Sequence, residues 1–176
     1  VGLMGAIADA VLEQGGHAHG VITEQIVRAE IAHQQLDSLE VVPTMHERKA
    51  RMAELADGFI ALPGGFGTLD ETLEMLTWNQ LGLIAKPVVF LDEGDYFAGL
   101  FEFFDRSVDE MFIRGAHRVL AQRARSVDEA IAQALAPAPA PAYKWISPAE
   151  VTGQVKAIPP IGGADQPAGR DVGGPR

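Results

Sequence analysis

The chain has 176 residues, 47% of them apolar, which is enough for one sizeable core. Its formal charge is −10 and its pI about 4.8. An acidic chain without a basic stripe argues against duplex DNA or RNA as a partner, and no apolar run approaches a membrane span. Cysteine is absent, which excludes disulfides and thiolate metal sites and suits a cytoplasmic protein.

The first residues, VGLMG, read as the middle of a motif, so an amino-terminal part of the domain is expected ahead of Val1. LMGAIADAVLEQ then reads as an apolar helix stopped at Gly15-Gly16. HAHGVIT is a short strand, EQIVRAEIAHQ a short helix and SLEVVPT a second strand. MHERKARMAELA is a helix with Met45, Met52 and Leu55 expected on its inner face. DGFIAL is a strand, followed by the helix TLDETLEMLTWNQLGL. KPVVFLD is a nearly continuous apolar strand, and DYFAGLFEFFDRSVDEMFI a long helix whose Phe97, Phe101, Phe104 and Phe112 read as core. RVLAQRA is the last strand. SVDEAIAQAL closes the pattern, with Ser126 as N-cap and Glu129 as its capping-box partner.

From Pro137 the composition changes. Residues 137–176 carry eight of the eleven prolines and too little apolar surface to offset chain entropy, so they read as a disordered tail. Residues 1–136 are the expected folded unit. Five strand–helix alternations with strands apolar on both sides predict an α/β, Rossmann-like doubly wound parallel sheet with helices on both faces. Such sheets bind ligands beyond the carboxyl ends of their strands.

Two strand-to-helix junctions there carry chemistry. In VVPTMHERK, Arg48 and Lys49 fall near a helix start, the pole that disfavours cations. An anionic ligand would remove that conflict, and so would an ion pair from Arg48 to Glu30 or Asp70. In LPGGFGTLDET, Gly64, Gly65 and Gly67 allow the backbone to approach a ligand closely. By itself TLDE reads as a capping box in which Thr68 caps the helix and Glu71 reaches back. Taken together, Arg48 and Glu71 each begin the helix after one of two successive strands. A right-handed crossover would set those strands side by side and bring both residues to one crevice. A site that only gripped phosphate would gain nothing from the carboxylate, whereas one that stabilises positive charge developing on a sugar would.

PGGFGTLDE, with MHERK placed upstream of it, resembles the LOG (Lonely Guy) family of cytokinin riboside 5′-monophosphate phosphoribohydrolases, older descriptions of which say "possible lysine decarboxylase". GLMG, GVITEQIVRAE, TWNQLG and KPVVFLD extend the likeness over nearly all of residues 1–136, with Thr23 where the family usually has proline. The resemblance implies a Rossmann-like fold whose first strand is missing from this chain, a homodimer, and hydrolysis of a nucleoside 5′-monophosphate to free base and ribose 5-phosphate. It implies no metal and no organic cofactor. Arg48 and Glu71 would be the catalytic pair. Substrate contacts would fall on Glu30, Met45, Lys49, Gly64, Gly65, Phe66, Gly67, Thr68, Leu69, Asp70 and Thr77. The absent strand contributes to the family's nucleotide pocket, which leaves open whether this chain is active by itself. A non-catalytic nucleotide-binding or sensing domain is the alternative. A pyridoxal decarboxylase would need a Schiff-base lysine. Lys49 alone lies near the pocket, since Lys86 precedes a strand and Lys144 and Lys156 sit in the tail.

Overall fold

The computed structural model describes residues 2–29 and 36–139. The predicted tail from residue 140 onward, Glu30, and the end of the helix predicted in EQIVRAEIAHQ lie outside the described residues. In chain order the elements are α1 (Gly2–Glu13), β1 (His19–Thr23), α2 (Glu24–Ala29), β2 (Ser38–Val42), α3 (Met45–Leu55) and β3 (Phe59–Ala61). They continue with α4 (Phe66–Leu81), β4 (Val88–Leu91), α5 (Ala98–Asp109), α6 (Gly115–Arg118), β5 (Ala121–Ala124) and α7 (Val127–Leu135). Strands and helices alternate as the patterning predicts, except that the short α6 lies between α5 and β5 and takes Arg118 out of the strand predicted in RVLAQRA. The described strands all pair in parallel.

The fold is α/β with parallel strands flanked by helices, consistent with a Rossmann-like architecture. The described strands form two sheets, β1-β2 and β3-β4-β5. The predicted neighbours β2 and β3 are therefore not paired: β2 pairs with β1, and β3 with β4.

β4 shows why the larger sheet needs cover on both sides. Side chains alternate across a strand. Val88 and Phe90 point into a core with Met75, Phe97, Phe101 and Phe104, supplied by α4, α5 and the residue before α5. Val89 points the other way, into a cluster with Ala124 of β5 and Ala130 and Ala134 of α7. Phe97, Phe101 and Phe104 are buried as expected, and the rings of Phe97 and Phe101 meet Phe90 edge to face at 5.1 and 5.4 Å. Phe112 is not core. α5 stops at Asp109, Met111 takes a left-handed conformation (φ 64°), and Phe112 is left exposed.

α3 also departs from its predicted inner face. Met45 and Leu55 are exposed, and the buried residues are Arg48, Lys49 and Ala53. A helix that faces carboxylates buries its cations.

α7 packs closely because Gly58, just before β3, has no side chain. A Cβ there would strike the backbone carbonyl of Ala134 at the end of α7. Gly58→Ala is expected to destabilise the protein by about 1–3 kcal/mol through overpacking. Gly99→Ala, in α5 with open space around it, should instead gain about 0.5–1 kcal/mol. Urea denaturation of the two variants checks the contrast.

Candidate active site

Thr44 opens α3 with a capping box. Its Oγ1 accepts from the Glu47 N–H at 3.2 Å, and Glu47 Oε2 accepts from the Thr44 N–H at 3.0 Å. The sequence signature T-x-x-E at Thr44–Glu47 was available for this cap. Because the helix starts there, Arg48 and Lys49 fall in its second turn and turn inward, 6% and 7% exposed.

Arg48 bridges two parts of the fold. Its Nε donates to the Val21 carbonyl of β1 at 2.8 Å, while its Nη1 contacts Glu71 Oε1 of α4. Lys49 lies 3.1 Å from Asp70 Oδ2 and 2.8 Å from Glu74 Oε2. The conflict predicted for cations near this helix start is thus resolved by carboxylates of α4, with no anionic ligand required. Arg48 pairs with Glu71 rather than with Asp70.

The predicted Thr68–Glu71 capping box does not form. α4 begins at Phe66, with Gly65 as an N-cap that has no side chain to offer. Thr68 is therefore inside the first turn. Glu71 is one turn further along, and it takes the guanidinium in place of a backbone amide. The Ser126 cap of α7 does form, with its hydroxyl accepting from the Glu129 N–H at 3.2 Å. Glu129 reaches back to the N–H of Arg125, one residue before the predicted Ser126.

The remaining expected site residues divide in two. Met45, the first residue of α3, places its sulfur 3.9 Å from Arg48 Nη1. Gly64, Gly65, Phe66, Gly67 and Thr68 form the loop and first turn of α4, and Phe66 projects into solvent, 94% exposed. Asp70 belongs to the ionic cluster through Lys49. Leu69 packs against the main core. Thr77 bonds the carbonyl of Leu73 and lines a separate hollow of about 150 Å³ with Gln80, Phe104 and His117. Six residues beyond Glu71, Thr77 is displaced about 9 Å along the helix and faces a different side. Glu30 lies outside the described residues.

Two further side chains contact these residues without being among those expected. Glu74 follows Asp70 and Glu71 at helical spacing, so an acidic stripe on α4 was the signal for it. Tyr96, in the loop after β4, donates its hydroxyl to the Gly64 carbonyl at 2.8 Å, and no local pattern points to that contact.

The two described lysines do not suit a Schiff base. The bond to Glu74 raises the Lys49 pKa above its ordinary 10.5, against the lowering effect of burial, and Asp70 adds to the rise. Lys86 Nζ donates to the carbonyls of Ala53 and Glu54 at 2.6 and 3.3 Å, which satisfies the C-terminus of α3. Neither amine is poised as a nucleophile for pyridoxal chemistry. The Lys49 shift also fixes a pH dependence. A raised folded pKa contributes stability that is complete below 10.5 and disappears as pH climbs through the folded value. Denaturation midpoints of wild type and Lys49→Met should accordingly converge above pH 10.5 and differ below it.

Among the described residues, no helix is long and apolar enough to cross a membrane, and no group of three or more metal-ligating side chains could hold a metal ion.

The chain matches a known protein family and has named relatives. The family model described as "Possible lysine decarboxylase" matches residues 4–134. The cytokinin riboside 5′-monophosphate phosphoribohydrolase of Rhodococcoides fascians is 46% identical over 138 residues, covering 78% of this chain and 70% of that protein. The Arabidopsis thaliana cytokinin riboside 5′-monophosphate phosphoribohydrolase LOG7 is 44% identical over 133 residues, 76% of this chain and 61% of that protein. Its relative LOG2 is 45% identical over 118 residues, 67% and 55% respectively. The chain thus spans between 55% and 70% of the length of these relatives. With a family model matched across nearly the whole described fold and relatives at this identity, the chain belongs to the LOG family, the group described as possible lysine decarboxylases.

Proposed function

We propose that this protein hydrolyses the N-glycosidic bond of nucleoside 5′-monophosphates, cytokinin riboside 5′-monophosphate or AMP, to free base and ribose 5-phosphate. The observation that carries this reading is the meeting of Arg48 and Glu71 beside the uncapped start of α4. The phosphoribohydrolase activity for which its relatives are named supports it.

The start of a helix attracts anions through its backbone N–H groups, and at α4 the N-cap has no side chain to occupy them. Gly65, Phe66, Gly67 and Thr68 would hold the 5′-phosphate. Glu71, a turn further on, would then face the sugar. When the C1′–N bond breaks, its electron pair leaves with the base and the ribose gains oxocarbenium character. The Glu71 carboxylate stabilises that charge. Water adds to C1′ and gives up a proton, and the base gains one. Arg48, held by the Val21 carbonyl, keeps the carboxylate oriented.

Incubation with AMP and with N6-isopentenyl-AMP, followed by chromatography for free base, tests the proposal. Base should appear from the monophosphates and far more slowly from the matching ribosides. Absence of base, or equal release from ribosides, overturns it. We further propose a cytoplasmic homodimer. The exposed apolar residues Leu73, Leu81 and Leu83, on α4 and just after it, support a second copy as partner, and light scattering of the purified chain measures it.

A further inference from the structure

Tyr96 is 58% exposed, yet its hydroxyl is committed to the Gly64 carbonyl, 32 residues away in sequence. The loop that carries it is firmly held. Asp92, at the end of β4, is fully buried. Its Oδ1 accepts from the Phe97 N–H at 2.6 Å, and its Oδ2 meets the Arg123 guanidinium of β5. Arg123 Nη2 also reaches Asp95 at 2.9 Å, and Arg125 contacts the same carboxylate. The Tyr96 ring rests edge-on against Phe97, centroids 5.0 Å apart. A rigid arm therefore delivers one hydroxyl to one carbonyl.

That carbonyl belongs to the Gly64–Gly65 peptide. With glycine on both sides, this peptide plane can rotate with little steric resistance. In a trans peptide the C=O and the following N–H point in opposite directions. Fixing the Gly64 carbonyl toward Tyr96 therefore turns the Gly65 N–H away from Tyr96. The flipped orientation would present a carbonyl oxygen where an amide hydrogen should face the anion. The other side of Gly64 is closed by Thr68, whose side chain occupies the space a Cβ would need.

We propose that Tyr96 is a positioning residue that locks the Gly64–Gly65 peptide in the orientation that receives the 5′-phosphate of the substrate. The inference rests on the phosphate assignment made above for this loop. Its test compares wild type with Tyr96→Phe, which removes the hydroxyl and keeps the ring. AMP and adenosine affinities are measured by calorimetry, together with KM and kcat for AMP. AMP should bind about five- to tenfold more weakly to the variant, the loss expected for one hydrogen bond. KM should rise in proportion, kcat should stay within about twofold, and adenosine affinity should not change. In the ligand-free variant the Gly65 amide resonance should broaden or double as the peptide samples both orientations. An AMP-to-adenosine affinity ratio equal to that of wild type overturns the proposal, whether or not base is released. A lowered ratio in a protein that releases no base leaves the lock standing and removes the hydrolase assignment instead.

Discussion

Glu71→Gln should lower base release from AMP by about 10²–10³-fold while AMP affinity changes by only a few fold. Glutamine keeps the shape and an acceptor oxygen for Arg48, so the helix start and its amides are undisturbed. It lacks the negative charge that would offset the developing oxocarbenium ion. The loss therefore belongs to kcat. A nucleotide-binding or sensing domain on the same fold would use Glu71 only to hold ribose hydroxyls, and the same substitution would weaken binding with no rate to lose. Single-turnover base release, measured beside equilibrium AMP binding, separates the two. Unchanged turnover in the variant removes Glu71 from the chemistry.

The largest loss of stability is expected at a residue away from Arg48 and Glu71. Asp92→Ala should destabilise the fold by about 3 kcal/mol and lower Tm by on the order of 10 °C. The carboxylate is fully buried, and its removal strands both the Phe97 N–H and one side of the Arg123 guanidinium. Asp92→Asn retains an acceptor for Phe97 and should fall between wild type and the alanine variant. Asp95→Ala, at the exposed end of the same network, should matter far less because solvent screens that pair. Thermal denaturation of the three variants gives the order. Equal losses for Asp92 and Asp95 would show that burial is not what makes the first pair matter.

Much of this was visible in the sequence wherever one dominant force decides. Val88–Leu91 is apolar throughout because helices cover both faces of its sheet, and such a run reads directly as a buried strand. Ser126 caps α7 as its local S-x-x-E signature predicts. The Arg48–Glu71 meeting was inferred from two helix starts, and the side chains do converge. They converge by a different route from the expected one, because β2 and β3 are not paired and Arg48 reaches from α3 to both β1 and α4. Local signals failed where a distant partner outbid them. Glu71 could cap its own helix or join a buried guanidinium, and the charged partner prevailed. Met45 and Leu55 were assigned to the inner face of α3 by hydrophobicity, but that face meets Asp70, Glu71 and Glu74, which select Arg48 and Lys49. Tyr96 had no local signature because its function lies in a loop-to-loop contact.

α3 is fastened to the elements around β3 and β4 mainly by charge: Arg48 to Glu71, Lys49 to Asp70 and Glu74, and Lys86 to the carbonyls at its end, with Ala53 as its buried apolar contribution. A seam of this kind can part without wetting much hydrocarbon, so its opening carries only a small heat-capacity increment. Breathing of this joint would therefore depend on temperature far less than global unfolding does, and the aromatic layer around Phe90 would stay dry throughout.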